Sequence, residues 1–346
     1  MYIADSARYE KMEYRKSGHS GLKLPILSLG LWQNFGDYDP IHNQREILRG
    51  AFDMGITHFD LANNYGGPAG AAEKNFGRIF REDFQAYRDE LIISSKAGYH
   101  MWEGPYGEWG SRKSIISSCD QSLQRMGLDY VDIFYHHRPD PDTPLEETAE
   151  ALMQLVRQGK ALYIGISNYN GEDTKKMTEI LKRKEAPFII HQMRYNMFSR
   201  ALLEDDLSPV LEEEGLGAIT FSPLAQGLLT NRYLHGIPED SRAHRKEIPF
   251  LSEEQVGSTL EKIKALQTIA VSRGQSLAQM ALAWNLRQKS VTSVLVGASR
   301  LSQLQESVRI MDNLDFSPEE ELRIDQILEY KRCNQTFYPY IKKNKR

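Results

Sequence analysis

Cysteine is nearly absent: Cys119 and Cys333 are the only two among 346 residues. Two thiols make no disulfide framework, which points to a reducing compartment, and alone they cannot build a zinc site. No apolar run approaches the ~18 residues that a membrane span needs. The charged start, MYIADSARYEKMEYRKSG, lacks the apolar core of a signal peptide. A cytoplasmic protein is the expectation. Charge of one sign is not in excess: 43 Lys and Arg face 47 Asp and Glu, a net charge of −4. Nucleic-acid binding therefore has no electrostatic basis. Linker-like composition and internal repeats are missing too, so a single domain over 1–346 is expected, with a flexible tail over about 333–346.

What is present is an ordinary globular composition, 40% hydrophobic and 10% aromatic, ample for a large core. Met12 to Lys16 and Leu22 to Leu24 flank the turn Ser17-Gly18-His19-Ser20-Gly21, which reads as an N-terminal β-hairpin. Eight short apolar runs follow, at 25–30, 57–60, 91–96, 131–136, 161–166, 188–191, 217–221 and 291–296. Most are too short for a helix, and several are β-branched or aromatic.

Stripes at helical spacing lie between them. Ile47, Leu48, Ala51 and Met54 form one; Ile115, Ile116, Cys119, Leu123 and Met126 another; Leu145, Thr148, Ala149, Leu152 and Val156 a third; Met177, Ile180 and Leu181 a fourth. Eight strand–helix alternations predict a closed parallel (β/α)₈ barrel. Three further helices are expected, at 260–273, 278–286 and 318–331, after a long connection over 224–257 that is rich in Pro, Gly and charge.

In such a barrel the active site lies at the C-terminal ends of the strands. The residues there are Asp60 and Tyr65 after the second run, Lys96 at the end of the third and His137 after the fourth. Ser167, Asn168, Gln192, Phe221, Ser222 and Pro223 follow, and then Gly297, Ser299 and Arg300 after the eighth. A tyrosine is a poor acid at neutral pH. A neighbouring ammonium such as Lys96 is expected to lower its pKa, Asp60 to hold Lys96, and His137 to orient a carbonyl.

The segments HFDLANNYG (58–66), SKAG (95–98), YVDIFYHHRPD (130–140) and GISN (165–168) resemble the aldo-keto reductase signatures, in family order along most of the chain. FSPLAQGLLT (221–230) is similar to the cofactor loop of the bacterial L-glyceraldehyde 3-phosphate reductases, relatives of the potassium-channel beta subunits. The resemblance implies a tetrad of Asp60, Tyr65, Lys96 and His137; the Arg-Pro-Asp that follows selects His137 over His136. It implies NADP(H) bound without a Rossmann fingerprint, and indeed no G-x-G-x-x-G follows the first run.

By that resemblance Ser167, Asn168 and Gln192 hold the nicotinamide carboxamide. Phe221 stacks on the ring, with Trp32 near it. Ser222, Pro223, Leu224, Gln226, Gly227 and Arg232 line the pyrophosphate. Gly297, Ser299, Arg300, Gln303, Glu306 and Ser307 meet the 2′-phosphate and adenine, and Arg242 closes from the long loop. Ser307, where the family has Asn, and Asn231-Arg232, where near relatives have Gly-Lys, are departures.

The implied activity is reduction of small aldehydes, L-glyceraldehyde 3-phosphate and methylglyoxal among them, and the resemblance leaves room for a homo-oligomer, a tetramer or larger. The alternative is an accessory subunit that only binds nucleotide. The channel subunits typically carry Asn at the position of His137, so this residue favours catalysis.

Trp32, Phe35, Tyr65 and Trp102 are expected to wall the substrate mouth, and the loop 101–111 with Trp102, Tyr106 and Trp109 reads as a lid. His136, Arg138 and the amides of 104–110 are candidates for a substrate phosphate. No metal site is expected: His136 and His137 are adjacent, so they point to opposite sides of a strand. Cys119 fits a helical core stripe.

Overall fold

A computed structural model describes residues 2–234, 236–239 and 251–330. Arg242 and the expected tail at 333–346 lie outside the described residues. All eight apolar runs form strands, and they close into one parallel barrel. Two short antiparallel strands come first, β1 (Tyr14–Lys16) and β2 (Lys23–Pro25), with Arg15 opposite Leu24. The barrel strands are β3 (Leu27–Gly30), β4 (His58–Asp60), β5 (Ile92–Ala97), β6 (Val131–His136), β7 (Ala161–Ser167), β8 (Phe188–Arg194), β9 (Gly217–Phe221) and β10 (Val291–Val296). They pair in chain order, and β10 closes onto β3 with Val294 beside Leu27.

The hairpin covers the N-terminal end of the barrel. Ser17 Oγ donates to the Ile189 carbonyl at 2.8 Å, and His19 N to the Gly215 carbonyl at 2.9 Å. Gly18 sits at φ +54°, and a Cβ there would fall 2.0 Å from the Gly215 oxygen, so the approach needs glycine. Leu22 and Leu24 of the hairpin reach the apolar interior of Ile133, Tyr135, Ile190, Ile219 and Leu295.

The helices outside are α1 (Ile41–Asp53), α2 (Ala71–Ile79), α3 (Arg112–Met126), α4 (Leu145–Arg157), α5 (Gly171–Lys182), α6 (Ser208–Glu214), α7 (Glu253–Ser272), α8 (Leu277–Leu286), α9 (Leu301–Val308) and α10 (Pro318–Leu328). The predicted stripes are their inner faces: Ile47, Leu48, Ala51, Ile115, Cys119, Met126, Met177 and Leu181 are fully buried. Gly127 caps α3 in the left-handed region at φ +67°. The added helices α7 and α10 pack on one another, and Ser252, Ser276 and Ser317 open α7, α8 and α10 with capping boxes. Helices α2, α6 and α9 carry no stripe long enough to stand out in the sequence.

Candidate active site

Alternation along each strand decides which side chains enter the barrel. On β4, Phe59 turns outward against Phe76 and Phe84, so His58 and Asp60 turn in. On β5, Ser95 turns outward to Glu73 at 2.6 Å, so Ser94 and Lys96 turn in. On β8, Ile190 and Gln192 turn in, the latter donating from Nε2 to Asp60 Oδ1 at 3.1 Å.

These inward groups meet at the C-terminal rim. Lys96 Nζ donates to Asp60 Oδ2 at 2.5 Å, to the Leu61 carbonyl at 2.6 Å and to Tyr65 Oη at 3.5 Å. The three protons of an ammonium are thereby all used. Because Tyr65 Oη accepts from Lys96, its own proton is left to point elsewhere. The His137 ring stands edge-on to Tyr65, with centroids 5.8 Å apart, and edge-on to Tyr99 at 4.6 Å. The expected four residues are therefore brought together.

Beneath them runs a chain of hydrogen bonds whose direction is dictated by chemistry. Asp60 as a carboxylate only accepts, so Ser94 Oγ donates to its Oδ1 at 2.7 Å. Ser94 Oγ must then accept from His58 Nε2, 2.9 Å away. Burial pushes the His58 imidazole down to about 4, so it is neutral and its Nδ1 is bare. Ser28 Oγ therefore donates to that Nδ1 at 2.9 Å, and Ser293 Oγ, 2.6 Å from Ser28 Oγ, donates in turn. Every donor in the chain points toward Asp60.

The pKa shifts correct one expectation. Burial is the largest influence on Tyr65, followed by Asp60 and then Tyr99, and together they raise its hydroxyl well above the ordinary tyrosine value. Lys96 does not lower it here; the ammonium is itself pushed down by burial, against the pull of Asp60. Burial, then Lys96, drives His137 well below the ordinary histidine value, so its imidazole is neutral.

The residues expected to hold a carboxamide are also adjacent. Asn168, at φ +62°, donates from Nδ2 to the His137 carbonyl at 3.0 Å and to Ser167 Oγ at 3.1 Å, and its backbone N–H reaches the Gln192 carbonyl at 3.0 Å. Phe221 ends β9. Ser222 follows at φ +54°, its carbonyl held by Asn196 Nδ2 at 2.9 Å. Gln226 Nε2 donates to Ser222 Oγ at 3.4 Å, and the Leu224 carbonyl ties back Gly227 and Leu229. Pro223 lies within this turn, and Arg232 is exposed a few residues further on, its N–H capped by Thr230.

After β10, Gly297 faces open space. Ser299 binds Gln303 Oε1 through its N–H at 2.8 Å, and Arg300 starts α9 with its side chain exposed. Glu306 is exposed, whereas Ser307 Oγ folds back onto the Gln303 carbonyl at 2.8 Å. These groups fit a nicotinamide dinucleotide: paired amides for a carboxamide, an aromatic face, a turn with successive positive φ angles, and a guanidinium at a helix start.

Two expectations about the substrate side are overturned. Phe35 is fully buried in the core, its carbonyl held by Asn75, and does not wall the mouth; Trp32 is 38% exposed and does reach the surface. His136 points away from the cavity. It faces the outer layer, where its Nδ1 lies 2.5 Å from Tyr169 Oη and its Nε2 lies beneath Gly110.

Arg138 is already engaged. Its guanidinium pairs with Glu108, donates to the Gly98 carbonyl at 3.1 Å, and lies against the rings of Tyr99 and Trp109. It thereby ties the loop 101–110, with partly exposed Trp102 and Trp109, to the segment that follows His137. Among the described residues no cluster of His, Cys, Asp and Glu could hold a metal, and no helix is long and apolar enough to cross a membrane.

The motifs single out neither His58 and Ser94 nor Arg194. The signal for the first two was the same alternation that turns Asp60 and Lys96 inward.

Comparison with known proteins agrees with this geometry. The Aldo/keto reductase family profile matches residues 26–329. The chain is 57% identical over 329 residues to the "L-glyceraldehyde 3-phosphate reductase" of Escherichia coli O157:H7, covering 94% of this chain and 95% of that protein. It is 56% identical to the protein of the same name in strain K12, with the same coverage. To the "Probable voltage-gated potassium channel subunit beta" of Oryza sativa subsp. japonica it is 35% identical, over 92% of this chain and 98% of that protein. A closed parallel barrel with Asp60, Tyr65, Lys96 and His137 at one rim, matched by the family profile from the first barrel strand to the last helix, belongs to a member of the aldo/keto reductase family.

Proposed function

We propose that the protein reduces small aldehydes to alcohols with NADPH, taking L-glyceraldehyde 3-phosphate and, less selectively, methylglyoxal-like carbonyls. The observation that carries this reading is the bond from Lys96 Nζ to Tyr65 Oη, 3.5 Å long, beside the edge-on His137 ring. A nicotinamide held by these residues would supply the hydride for the carbonyl carbon. Tyr65 then gives its proton to the oxygen, whose charge is growing, so that one hydride and one proton convert carbonyl to alcohol.

The raised pKa of Tyr65 keeps that proton in place until the oxygen needs it. Lys96, held by Asp60, stabilises the tyrosinate that remains. Neutral His137 orients the carbonyl by hydrogen bonding without competing as an acid. Ser167, Asn168 and Gln192 would hold the carboxamide, Phe221 the ring face, and Ser299 and Arg300 the 2′-phosphate.

A histidine at position 137, where the channel subunits typically carry Asn, supports catalysis over the accessory-subunit reading. The test is loss of NADPH absorbance with a panel of aldehydes. Oxidation that depends on aldehyde is expected; tight nucleotide binding with no turnover of any aldehyde would favour the accessory role instead.

A further inference from the structure

Arg194 ends β8, and its register partner on β9 is Phe221. It lies two residues beyond Gln192, whose side chain turns in to Asp60, so alternation places Arg194 on the same inner face, at the rim. Arg194 is partly buried, and its Nε is out of contact with water and has no hydrogen-bond partner.

That is unusual for this protein. Other buried or partly buried arginines have a carboxylate: Arg88 has Asp132, Arg125 has Glu73, Arg138 has Glu108, Arg200 has Glu204, Arg273 has Glu320 and Arg287 has Glu204. Among the described residues Arg194 has none. Asp60 and Lys96 at the rim pair with one another. One positive charge without a carboxylate partner is therefore held, partly buried, at the end of β8, two residues beyond Gln192. Such a charge costs stability unless an anion joins it.

We propose that Arg194 anchors a phosphate group of the ligand at the catalytic rim. A guanidinium fork binds phosphate oxygens by paired charge-assisted hydrogen bonds. The phosphate has two sources, the distal end of a phosphorylated aldehyde or the pyrophosphate of the dinucleotide. This rests on the function proposed above, and it replaces His136 and Arg138, which face away or are already paired.

The experiment compares wild type with Arg194→Met and Arg194→Lys. It measures the NADPH Kd by fluorescence, and kcat/KM for L-glyceraldehyde 3-phosphate and for L-glyceraldehyde. If the substrate phosphate is held, the ratio of the two kcat/KM values falls at least tenfold in Arg194→Met, the NADPH Kd moves less than twofold, and Arg194→Lys recovers part of the ratio. If the pyrophosphate is held, the NADPH Kd weakens at least tenfold and the ratio stands. A Kd and a ratio both unchanged overturn the proposal.

Because the charge has no partner to lose, Arg194→Met should melt no lower than wild type. A lower melting temperature marks a structural role and counts against the proposal. Thermal-shift titration with inorganic phosphate and pyrophosphate separates this inference from the functional reading. Stabilisation of wild type but not of Arg194→Met upholds Arg194 even if no aldehyde is reduced.

Discussion

Lys96 Nζ and Asp60 Oδ2 lie 2.5 Å apart, and neither side chain meets water. Removing one partner of such a pair strands the other charge, at about 3–5 kcal/mol. The two partners are not equivalent. Without Lys96, Asp60 still accepts from Ser94 and Gln192. Without Asp60, Lys96 keeps only neutral oxygens, those of Leu61 and Tyr65. Asp60→Asn should therefore destabilise more than Lys96→Met, and the double variant should lose less than the sum of the two. Urea unfolding of the three variants checks this; additive losses would show that the pair is not coupled.

Tyr65→Phe keeps the ring and removes the proton donor. NADPH should still bind within a few-fold of wild type, while turnover falls by at least ~10²-fold, the usual contribution of a positioned general acid. Lys96→Met should lower turnover similarly, since the tyrosinate left after proton transfer loses its cation. Near-normal turnover in Tyr65→Phe would remove the hydroxyl from its role.

His58 acts on the site only through Ser94. Replacing it by Leu removes the donor to Ser94 Oγ, frees that hydroxyl to rotate, and weakens its hold on Asp60 Oδ1. A fall in kcat with little change in the NADPH Kd is the expected result. His58→Gln offers both a donor and an acceptor and should restore much of the loss. Equal loss in both variants would mean that His58 serves only as packing.

Four buried histidines make the fold acid-sensitive. Burial pushes His58 and His136 down to about 4, His191 to about 3, and His137 well below its ordinary value. In the unfolded chain each titrates near ~6.5. Below that pH the unfolded state takes up protons that the folded state refuses, so stability rises with pH through this window and is lost as pH falls. Each histidine contributes roughly 1 kcal/mol per pH unit there. The urea midpoint should therefore drop steeply between pH 6.5 and 5, where ordinary carboxylates are still ionised. A flat midpoint across that interval would contradict the buried, neutral state of these rings.

The barrel was legible because its strands are nearly continuous apolar runs, as parallel strands covered on both faces must be. The short helices α2, α6 and α9 were not, since a helix of two turns carries too few periodic positions to be told from a loop. In the site, Asp60, Tyr65, Lys96 and His137 stand out because polar groups at strand ends are costly without a use. Phe35 reads as part of the mouth from its closeness to Trp32 in the chain; only the packing shows it turned into the core. Arg194 is invisible as a site residue because its distinction is a missing partner, and partners are a property of the folded chain.

On the function proposed above, cofactor choice should turn on the start of α9. Arg300 stands at that start with an exposed side chain, and Ser299 beside it is held by Gln303. Backbone N–H groups at a helix start and a guanidinium together favour a dianionic phosphate. A free ribose 2′-hydroxyl, by contrast, is usually held by a carboxylate. The only carboxylate on α9, Glu306, is exposed and lies well along the helix. NADPH should therefore bind more tightly than NADH. Arg300→Ala should weaken NADPH by about 1–3 kcal/mol, the range for a hydrogen bond to a charged group, and leave NADH nearly unchanged because it has no 2′-phosphate to lose. Fluorescence titration of both nucleotides against both proteins measures this. Equal wild-type affinities, or an equal loss for both nucleotides in the variant, would place the 2′-phosphate away from Arg300.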